Sequence, residues 1–530
     1  MIPLHVHTNH SLLQGTIKID ELIKECKKNN ISSIAVTDYN AMYGLIQFGK
    51  KAIEAEIKPI YGAQIDEPKN QNLYVIILAK NKEGYSDLCK IITQRKLNDD
   101  FSLNAILKSI WKNLIFITPK IEFLGIINKQ NSFYSEIIPT TSNKKNALKL
   151  YEYSNQNKIP IVASNPIYFL NKADFNLHKL VTAICLNKTI NSVTEKELVD
   201  EEYYFKSQSE LKKLFGKIPE AIANANKIAE ECDVNLEFEK YKYPQYPIGN
   251  QNKVEYLNSI SFKGLQKRYK IIDNKIKTRL EYELSVINEL NFVDYFLIVW
   301  DIVQEAKKRG MLTIGRGSAA NSLVAYCLEL TQVDPIKLNL YFERFLNKAR
   351  SSPPDVDLDF SWKERDEIVK YVFDKYGYEK VAMISTIITF RARSAFREVA
   401  KAYGISDREI SKFSKKIPWT SAANLTKISQ LFPESRNIGF DKEPWKTVTE
   451  FASKIANFPR HLSIHPSGIV ITPNKITDYC ALEYAKNKGL GLIITQPDMY
   501  SIEDLGLVKI DLLSQRSLGV LRDTMEVINK

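Results

Sequence analysis

The chain has 530 residues, enough for about three domains, and its content of 44% hydrophobic and 26% charged residues is ordinary for a globular protein with sizeable cores. The formal net charge of +12 favours a polyanionic partner, most often nucleic acid, although a Lys- and Asn-rich genome would produce the same balance. The six cysteines are scattered without a CxxC pair, which argues against a zinc ribbon and a disulfide framework and favours reduced thiols in the cytoplasm. The apolar runs are too short to cross a bilayer, which argues against a membrane span.

The first part of the chain, to about residue 240, alternates short strand-like runs with helical stretches. Helical periodicity covers residues 18–30 and 45–57. The strand-like runs are IAV (34–36), LYVIILA (73–79), NLIFIT (113–118) and IPIVAS (159–164). This alternation predicts an α/β fold.

Histidines mark the start of this part. LHVHTNHSLLQG (4–15) places His5 and His7 at strand spacing on one face, and VTDYN (36–40) follows with Asp38. A His-x-His pair after a short apolar start is a metal-ligand pattern in many hydrolases. The N-terminal residues show no secretory signal pattern.

Residues 241–253 are rich in Pro, Gly, Asn and Tyr without usable periodicity, and we interpret them as a linker. Helical periodicity then runs from about 254 to 309 and stops at Gly310 after a basic tail. Strand-like runs with acidic residues follow to about 400 and return from about 490 to 513. Between them, residues 405–485 look mostly helical and Lys-rich, with Ser406 to Glu409 as a capping-box candidate.

The stretch IGRGSAANSLVAYCLEL (314–330) combines a glycine turn with the start of a predicted helix that Ser318 would cap. Gly315 and Gly317 allow a tight backbone, and the N–H groups of a helix N-terminus attract anions. Arg316 adds a charged fork for phosphate. Taken alone, the pattern fits an ordinary loop at least as well as a phosphate site.

The stretch SSPPDVDLDF (351–360) alternates Asp355, Asp357 and Asp359 with apolar residues, so on a strand the three carboxylates share one face. Either this is a solvated edge strand that resists aggregation, or the carboxylates bind hard cations such as Mg²⁺; we favour the metal. In LGLVKIDLL (505–513), Asp511 stands alone in an apolar run and needs a partner. A shared metal would supply it, and so would Lys509, which otherwise is placed to meet a triphosphate.

Together these motifs, in their order and rough spacing, closely resemble the alpha subunit of bacterial DNA polymerase III, a C-family DNA polymerase, over essentially the whole chain. The N-terminal histidine motif and VTDYNAMYGLIQF resemble its PHP (polymerase and histidinol phosphatase) domain. The other matching motifs are IGRGSAANSLVAY, LTQVDP (330–335), FERFLN (342–347), PDVDLDF (354–360), RARSAFREV (391–399), HPSGIVI (465–471), TQPDM (495–499) and LGLVKIDLL.

The resemblance implies an α/β multidomain architecture. A PHP-type α/β barrel would occupy residues 1–240, and a nucleotidyltransferase-like mixed-sheet palm would occupy 254–404 and 490–530. The Lys-rich helical segment 405–489 would be a thumb inserted into the palm, tracking the DNA backbone through its charges.

The resemblance also assigns residues. Asp357, Asp359 and Asp511 match the catalytic aspartates that bind two Mg²⁺ ions, and Asp355 matches a neighbouring acidic position outside that triad. The nucleotide-binding positions are Arg316, Gly317, Ser318, Arg344 and Lys509. The implied activity is DNA-directed DNA polymerisation, a nucleotidyl transfer to a primer 3′-OH, with primer–template DNA and deoxynucleoside triphosphates as partners in the cytoplasm.

The PHP motifs depart from the family. Active members have histidine where Tyr39 follows Asp38, glutamate where Gln64 stands, and an asparagine–aspartate–x–histidine stretch where this chain has Pro166 and Tyr168. Tyrosine and glutamine are poor replacements for these ligands.

What remains of the PHP ligand set is His5, His7 and Asp38, with His178 as a further candidate. We therefore expect weak or absent metal binding there and a PHP domain without 3′→5′ exonuclease activity. In the glycine turn, Asn321 stands where the family usually has a second glycine, which a helix's first turn tolerates.

The family continues past the third palm aspartate into fingers, clamp-binding and oligonucleotide-binding regions, whereas this sequence ends at Lys530. We expect a fragment, one half of a split polymerase with a separately encoded fingers chain and other replisome subunits, or a truncated relative. Two alternatives are a non-catalytic DNA-binding scaffold and a PHP phosphoesterase. The retained aspartates argue against the scaffold, and the eroded PHP ligands argue against the phosphoesterase.

Overall fold

The computed structural model describes residues 1–238, 240–349, 353–354, 356–436, 438–485 and 491–529. The chain divides into two compact units, and each is assembled from three segments. The first unit comprises Met1–Leu236, Thr386–Ser463 and Thr477–Asn487; the second comprises Glu237–Ser385, Ile464–Ile476 and Lys488–Lys530.

The first segment of the first unit alternates strands and helices, as the sequence predicts. Its strands are β1 (Ser33–Val36), β2 (Lys58–Glu67), β3 (Asn70–Ala79), β4 (Leu114–Thr118), β5 (Ser132–Ile137) and β6 (Ile161–Ala163). Its helices are α1 (Ile19–Lys28), α2 (Leu45–Glu54), α3 (Lys82–Leu97), α4 (Leu103–Lys108), α5 (Ile121–Leu124), α6 (Lys144–Gln156), α7 (Phe175–Leu186), α8 (Gln208–Phe215) and α9 (Pro219–Glu231).

These six strands form one mixed sheet in sequence order. The pairs β1–β2, β4–β5 and β5–β6 are parallel, and β2–β3 and β3–β4 are antiparallel. Apolar side chains of β1, β3 and β4 pack with Ala225 and Ile228 of α9. The predicted strands at 34–36, 73–79, 113–118 and 159–164 and the two predicted helices are confirmed, because β-branched runs and helical periodicity both lead to buried faces here.

The N-terminal residues extend this sheet without forming a long strand. Thr37 N–H donates to the Val6 carbonyl at 2.8 Å, and His7 N–H donates to the Ile167 carbonyl at 2.8 Å. This backbone therefore lies between β1 and the segment at Ile167, which carries His5 and His7 into the buried interior.

The remaining elements follow in chain order. From residue 237 they are α10 (Lys253–Arg268), α11 (Asn274–Glu289), α12 (Val293–Lys308), β7 (Thr313–Arg316), α13 (Leu323–Cys327), β8 (Asp357–Ser361), α14 (Arg365–Tyr376) and β9 (Val381–Thr389). From residue 390 they are α15 (Ala392–Ala402), α16 (Asp407–Ser414), α17 (Ile428–Leu431), α18 (Trp445–Lys454), β10 (Pro459–Ile471), β11 (Leu482–Tyr484), β12 (Ile493–Asp498), α19 (Met499–Asp504), β13 (Lys509–Gln515) and α20 (Arg516–Ile528).

The helical prediction for 254–309 is confirmed as three helices, and Gly310 ends the last of them with a φ of +73°. The side chain of Ser406 caps α16, as predicted, by accepting from the Glu409 N–H. The helical prediction for 405–485 is wrong beyond α18. There the β-branched run Ile469–Ile471 of HPSGIVI lies in the long strand β10.

Strands of the second unit lie side by side in the order β12, β9, β10, β13, β8, β7. The β13–β8 pair is parallel, and β10–β13 and β7–β8 are antiparallel. The strands β13 and β8 are far apart in sequence, and their pairing brings the two aspartate motifs together. Among the helices of the described residues, none combines the length and the apolar character that crossing a bilayer requires.

Candidate metal centre

Three aspartates share one face of the second unit's sheet. Asp511 on β13 is directly opposite Asp357 on β8 in the parallel ladder, and Asp359 lies two residues further along β8. Residues in register on neighbouring strands point to the same face, as do residues two apart on one strand. Asp357 and Asp359 therefore share one face of a strand, as the alternation in SSPPDVDLDF predicts. Asp355 lies outside the described residues.

Two cations flank these carboxylates. Arg316 on β7 is directly opposite Asp357, and its Nε lies 3.7 Å from Asp357 Oδ2 and 3.4 Å from Asp359 Oδ1. Lys509 Nζ lies 2.6 Å from Asp511 Oδ2. Asp359 and Asp511 are buried, so each carboxylate needs compensation, and the flanking cations provide part of it.

Two further side chains complete the surroundings of the buried carboxylates. Ser467 Oγ donates to Asp511 Oδ1 at 2.7 Å, and Gln515 Nε2 donates to Asp359 Oδ1 at 3.3 Å. The alternatives for Lys509 in the sequence were a triphosphate and Asp511; with no ligand present, its ammonium group pairs with Asp511.

The donor set suits a hard divalent cation, because it consists of carboxylate oxygens on adjacent strands. Within the part of the chain that the structure describes, no three His, Cys, Asp or Glu side chains converge closely enough to hold a metal ion. The carboxylates are instead turned toward Arg316 and Lys509. A divalent ion that bound here would therefore have to displace one or both of these ion pairs.

The glycine turn next to Arg316 requires both of its glycines. Gly317 has a φ of +76°, in the left-handed region, and a Cβ at Gly315 would lie 1.9 Å from the Leu330 carbonyl oxygen. The turn lies beside the Asp357 side chain, because a Cβ at Gly317 would be in van der Waals contact with Asp357 Oδ2 at 4.0 Å.

The prediction that Ser318 caps a helix over 319–328 is wrong. A 3-10 turn occupies Gly317–Asn321, and Ser322 caps the short helix α13 by accepting from the Ala325 N–H. The buried carboxylate of Glu283 accepts from Ser322 Oγ at 2.8 Å and from Val324 N–H at 3.1 Å. This helix N-terminus is therefore already filled by a carboxylate and does not face an anion from solution.

Arg344 is not brought to the carboxylates by any recorded contact. Its exposed side chain lies at the end of the 3-10 turn Phe342–Arg344, and within the described residues its guanidinium forms no ion pair. The backbone carbonyl of Ser318 accepts a hydrogen bond from Asn321 Nδ2 at 2.9 Å. Asn321 thus stabilises the turn at the position where the sequence departs from the family that it resembles.

A second cluster lies in the first unit around the histidine pair. His5 Nε2 and His7 Nε2 are 3.0 Å apart, and each lies 3.1 Å from Gln64 Oε1. Tyr168 stacks on His7 with a centroid distance of 4.1 Å. Burial lowers the pKa of His7 well below its usual value, and the neighbouring His5 lowers it further.

Asp38 does not join the histidine nitrogens. Its carboxylate accepts from the Thr8 N–H and from Ser11 Oγ, each at 2.7 Å, and Ser11 Oγ in turn lies 2.9 Å from His7 Nδ1. Burial raises the pKa of Asp38 to about 6, against these hydrogen bonds, which lower it. Asp38 therefore supports His7 through a hydroxyl.

The two other positions of this motif set also have protein partners. His178 Nδ1 lies 2.8 Å from the Gln14 carbonyl oxygen, and burial lowers the pKa of His178 to about 4. The Tyr39 hydroxyl donates to Asp66, which also pairs with Arg95. The donor set at the histidine pair, two imidazoles and a neutral amide, does not suit a tightly bound catalytic metal.

Sequence reasoning missed Glu136 on β5, which is fully buried and lies 2.7 Å from His5 Nδ1. It also missed Glu283 and Ser467. For Glu136 the available signal was a single glutamate in a strand-like run, and for Glu283 it was the position on the buried face of a helix, next to Leu284. For Ser467 it was the motif HPSGIVI.

Two family models match this chain. The bacterial DNA polymerase III alpha NTPase domain matches residues 255–514, and the PHP domain matches residues 3–130. The DNA polymerase III subunit alpha of Buchnera aphidicola subsp. Acyrthosiphon pisum is 35% identical over 571 residues, covering 100% of this chain and 49% of the relative.

Two further relatives agree with this match. The DNA polymerase III subunit alpha of Bacillus subtilis is 33% identical, with the same coverage. The error-prone DNA polymerase of Symbiobacterium thermophilum is 32% identical, covering 99% of this chain and 52% of the relative. The chain thus spans about half the length of the curated relatives that it matches.

Proposed function

The chain belongs to the family of bacterial DNA polymerase III alpha subunits, and from that premise we propose that it carries the catalytic palm of a DNA-directed DNA polymerase. The observation that carries the proposal is the register of β13 with β8, which sets Asp511 beside Asp357 and Asp359 on one face. The opposing cations Arg316 and Lys509 support it, because a triphosphate needs positive partners next to the metal ligands.

Asp357, Asp359 and Asp511 would hold divalent ions, for which we propose Mg²⁺. Bound there, these ions would activate the primer 3′-hydroxyl and neutralise the leaving pyrophosphate. Arg316 and Lys509 would exchange their carboxylate partners for phosphate oxygens. Gly317, Ser318 and Arg344 would complete the nucleotide site, with the turn contributing its backbone rather than a helix N-terminus.

The proposed domain organisation follows the motifs. A PHP-type α/β barrel covers residues 1–240, a linker covers 241–253, and a nucleotidyltransferase-like palm covers 254–404 and 490–530. A thumb-like segment covers 405–489, and its strand β10 pairs with β13 of the palm. The partners are primer–template DNA, deoxynucleoside triphosphates, a segment or chain that supplies the fingers, and other replisome subunits. The six free thiols accord with a cytoplasmic location.

We propose that the PHP domain has a structural role without hydrolysis. Gln64 and Glu136 occupy the contacts of the histidine pair, and Asp38 is engaged by Thr8 and Ser11. When the full chain is incubated with a labelled primer and Mn²⁺ or Zn²⁺, the 3′ end of the primer should stay intact. Metal-dependent 3′→5′ degradation that disappears in His7→Ala would contradict the structural role and favour the phosphoesterase alternative.

Primer extension with the full chain tests the polymerase assignment, alone and together with a C-terminal half supplied by a relative. We expect Mg²⁺-dependent extension that is lost in Asp357→Ala/Asp359→Ala. Extension that survives this double substitution would remove the palm assignment. Absence of extension under both conditions would favour a non-catalytic DNA-binding scaffold.

A further inference from the structure

Trp419 is the most exposed large hydrophobic side chain in the described part of the chain, at 94% of full exposure. It lies in the loop between α16 and the 3-10 turn Ala422–Lys427, which we call the tryptophan loop (residues 417–420). By contrast, Trp445 of the same unit is buried and stacks on Phe413 at a centroid distance of 3.9 Å. An indole held in water is unfavourable, which suggests that a ligand covers it.

The tryptophan loop is fixed by contacts at both ends. Arg393 Nε donates to the Ile417 carbonyl at 2.5 Å, and Ala392 N–H donates to the Thr420 carbonyl at 3.3 Å. Ile417 is fully buried, and Ser435 Oγ donates to the Lys416 carbonyl at 2.9 Å just before the loop. The backbone is therefore anchored on both sides of Trp419, so that little ordering is needed when the ring meets a flat partner.

The surroundings of this ring are basic. Lys415 and Lys416 precede the loop and are exposed, and so are Arg391 and Arg393 at the start of α15, which the loop contacts. Glu434, next to Ser435, is also exposed. The four exposed cations suit phosphates, which favours a polyanion over an apolar protein as the partner.

We propose that the tryptophan loop binds single-stranded nucleic acid, with Trp419 stacked on an unpaired base and Lys415 and Lys416 near the adjoining phosphates. Aromatic stacking and backbone charges are the two components of sequence-tolerant single-strand binding. The inference rests on the proposed function, in which the chain acts on DNA, and adds to it a named contact and a preference for unpaired bases.

The test measures the affinity of the full chain for a fluorescein-labelled oligothymidylate as a function of salt. Trp419→Ala should weaken binding by at least about fivefold, because one stacked base is lost, while Trp419→Phe should keep most of the affinity. Lys415→Ala/Lys416→Ala should instead reduce the slope of log K against log salt by about 1.4, which Trp419→Ala leaves unchanged. Tyr378→Ala removes another exposed aromatic ring and serves as the matched control.

Blunt-ended duplex DNA offers no unpaired base and should bind Trp419→Ala and the unsubstituted chain equally. The proposal is overturned if Trp419→Ala binds the oligothymidylate like the unsubstituted chain, if duplex binding weakens to the same extent, or if the unsubstituted chain does not bind the oligothymidylate at low salt. Asp357→Asn/Asp359→Asn should keep single-strand affinity while losing nucleotidyl transfer. This arm separates a failure of the stacking contact from a failure of the polymerase assignment.

Discussion

Lys509→Met should loosen β13 in the absence of divalent ions. Lys509 Nζ lies 2.6 Å from Asp511 Oδ2, and the two side chains are only 19% and 8% exposed. Removal of one partner from a buried pair costs about 3–5 kcal/mol, because the other charge is left uncompensated. Ser467 still donates to Asp511, so we expect the lower end of this range, about 3 kcal/mol.

Hydrogen exchange of the peptide that covers residues 505–515, measured in EDTA, reports this local free energy without requiring the whole chain to unfold in two states. A loss of this size should accelerate exchange about 100-fold when opening and closing are fast compared with the chemical exchange step. Lys509→Met/Asp511→Asn removes both charges and should return exchange most of the way to that of the unsubstituted chain.

The same experiment examines the metal site. Mg²⁺ should slow exchange in Lys509→Met more than in the unsubstituted chain, because the ion replaces the missing cation and no ion pair has to open first. Exchange of Lys509→Met at the original rate in EDTA, or exchange that Mg²⁺ leaves unchanged, would contradict this role of the Lys509–Asp511 pair.

Three further predictions concern other buried groups. Burial holds the pKa of His178 at about 4 against 6.5 in the unfolded chain. The neutral imidazole therefore makes its full contribution to the free energy of unfolding above pH 6.5, and this contribution is lost as the pH falls toward 4. His178→Gln should therefore remove about 2 kcal/mol of the acid destabilisation between pH 7 and 4.5, seen as a smaller drop in Tm over that range; an equal drop would contradict it. Gln64→Glu adds a carboxylate to the histidine pair and should tighten Zn²⁺ binding at least about tenfold by calorimetry, whereas unchanged binding would show that the amide is not what excludes the metal. Glu283→Ala should cost about 3 kcal/mol by leaving Ser322 Oγ and the Val324 N–H without their acceptor, and faster hydrogen exchange of residues 317–328 checks this; unaltered exchange would exclude a positioning role for Glu283.

Local patterns predicted β1, β3, β4 and β6 of the first unit, together with α1 and α2. Runs such as LYVIILA form buried strands because their β-branched and aromatic side chains fit a sheet. The common face of Asp357 and Asp359 follows from the two-residue period of a strand alone. The position of Asp511 opposite Asp357 depends on which distant strands pair, and single-sequence periodicity carries no such information.

The errors have a common physical origin in distant partners. Ser318 and Ser322 both precede an apolar run, and α13 starts at the second because Glu283, from another helix, accepts from Ser322 and Val324. Likewise, Glu136 is recognised as a partner of His5 only when β5 lies in the sheet. Contacts of this kind depend on the packed structure and leave only a lone polar residue as a sign in the sequence.

The central claim is that Asp357, Asp359 and Asp511 bind divalent ions for nucleotidyl transfer. Electron paramagnetic resonance of Mn²⁺, titrated into the full chain in the presence of a deoxynucleoside triphosphate, measures this binding independently of turnover. We expect bound Mn²⁺ that is lost in Asp357→Asn/Asp359→Asn and weakened in Asp511→Asn. Equal Mn²⁺ binding by the unsubstituted chain and by all of these variants would contradict it.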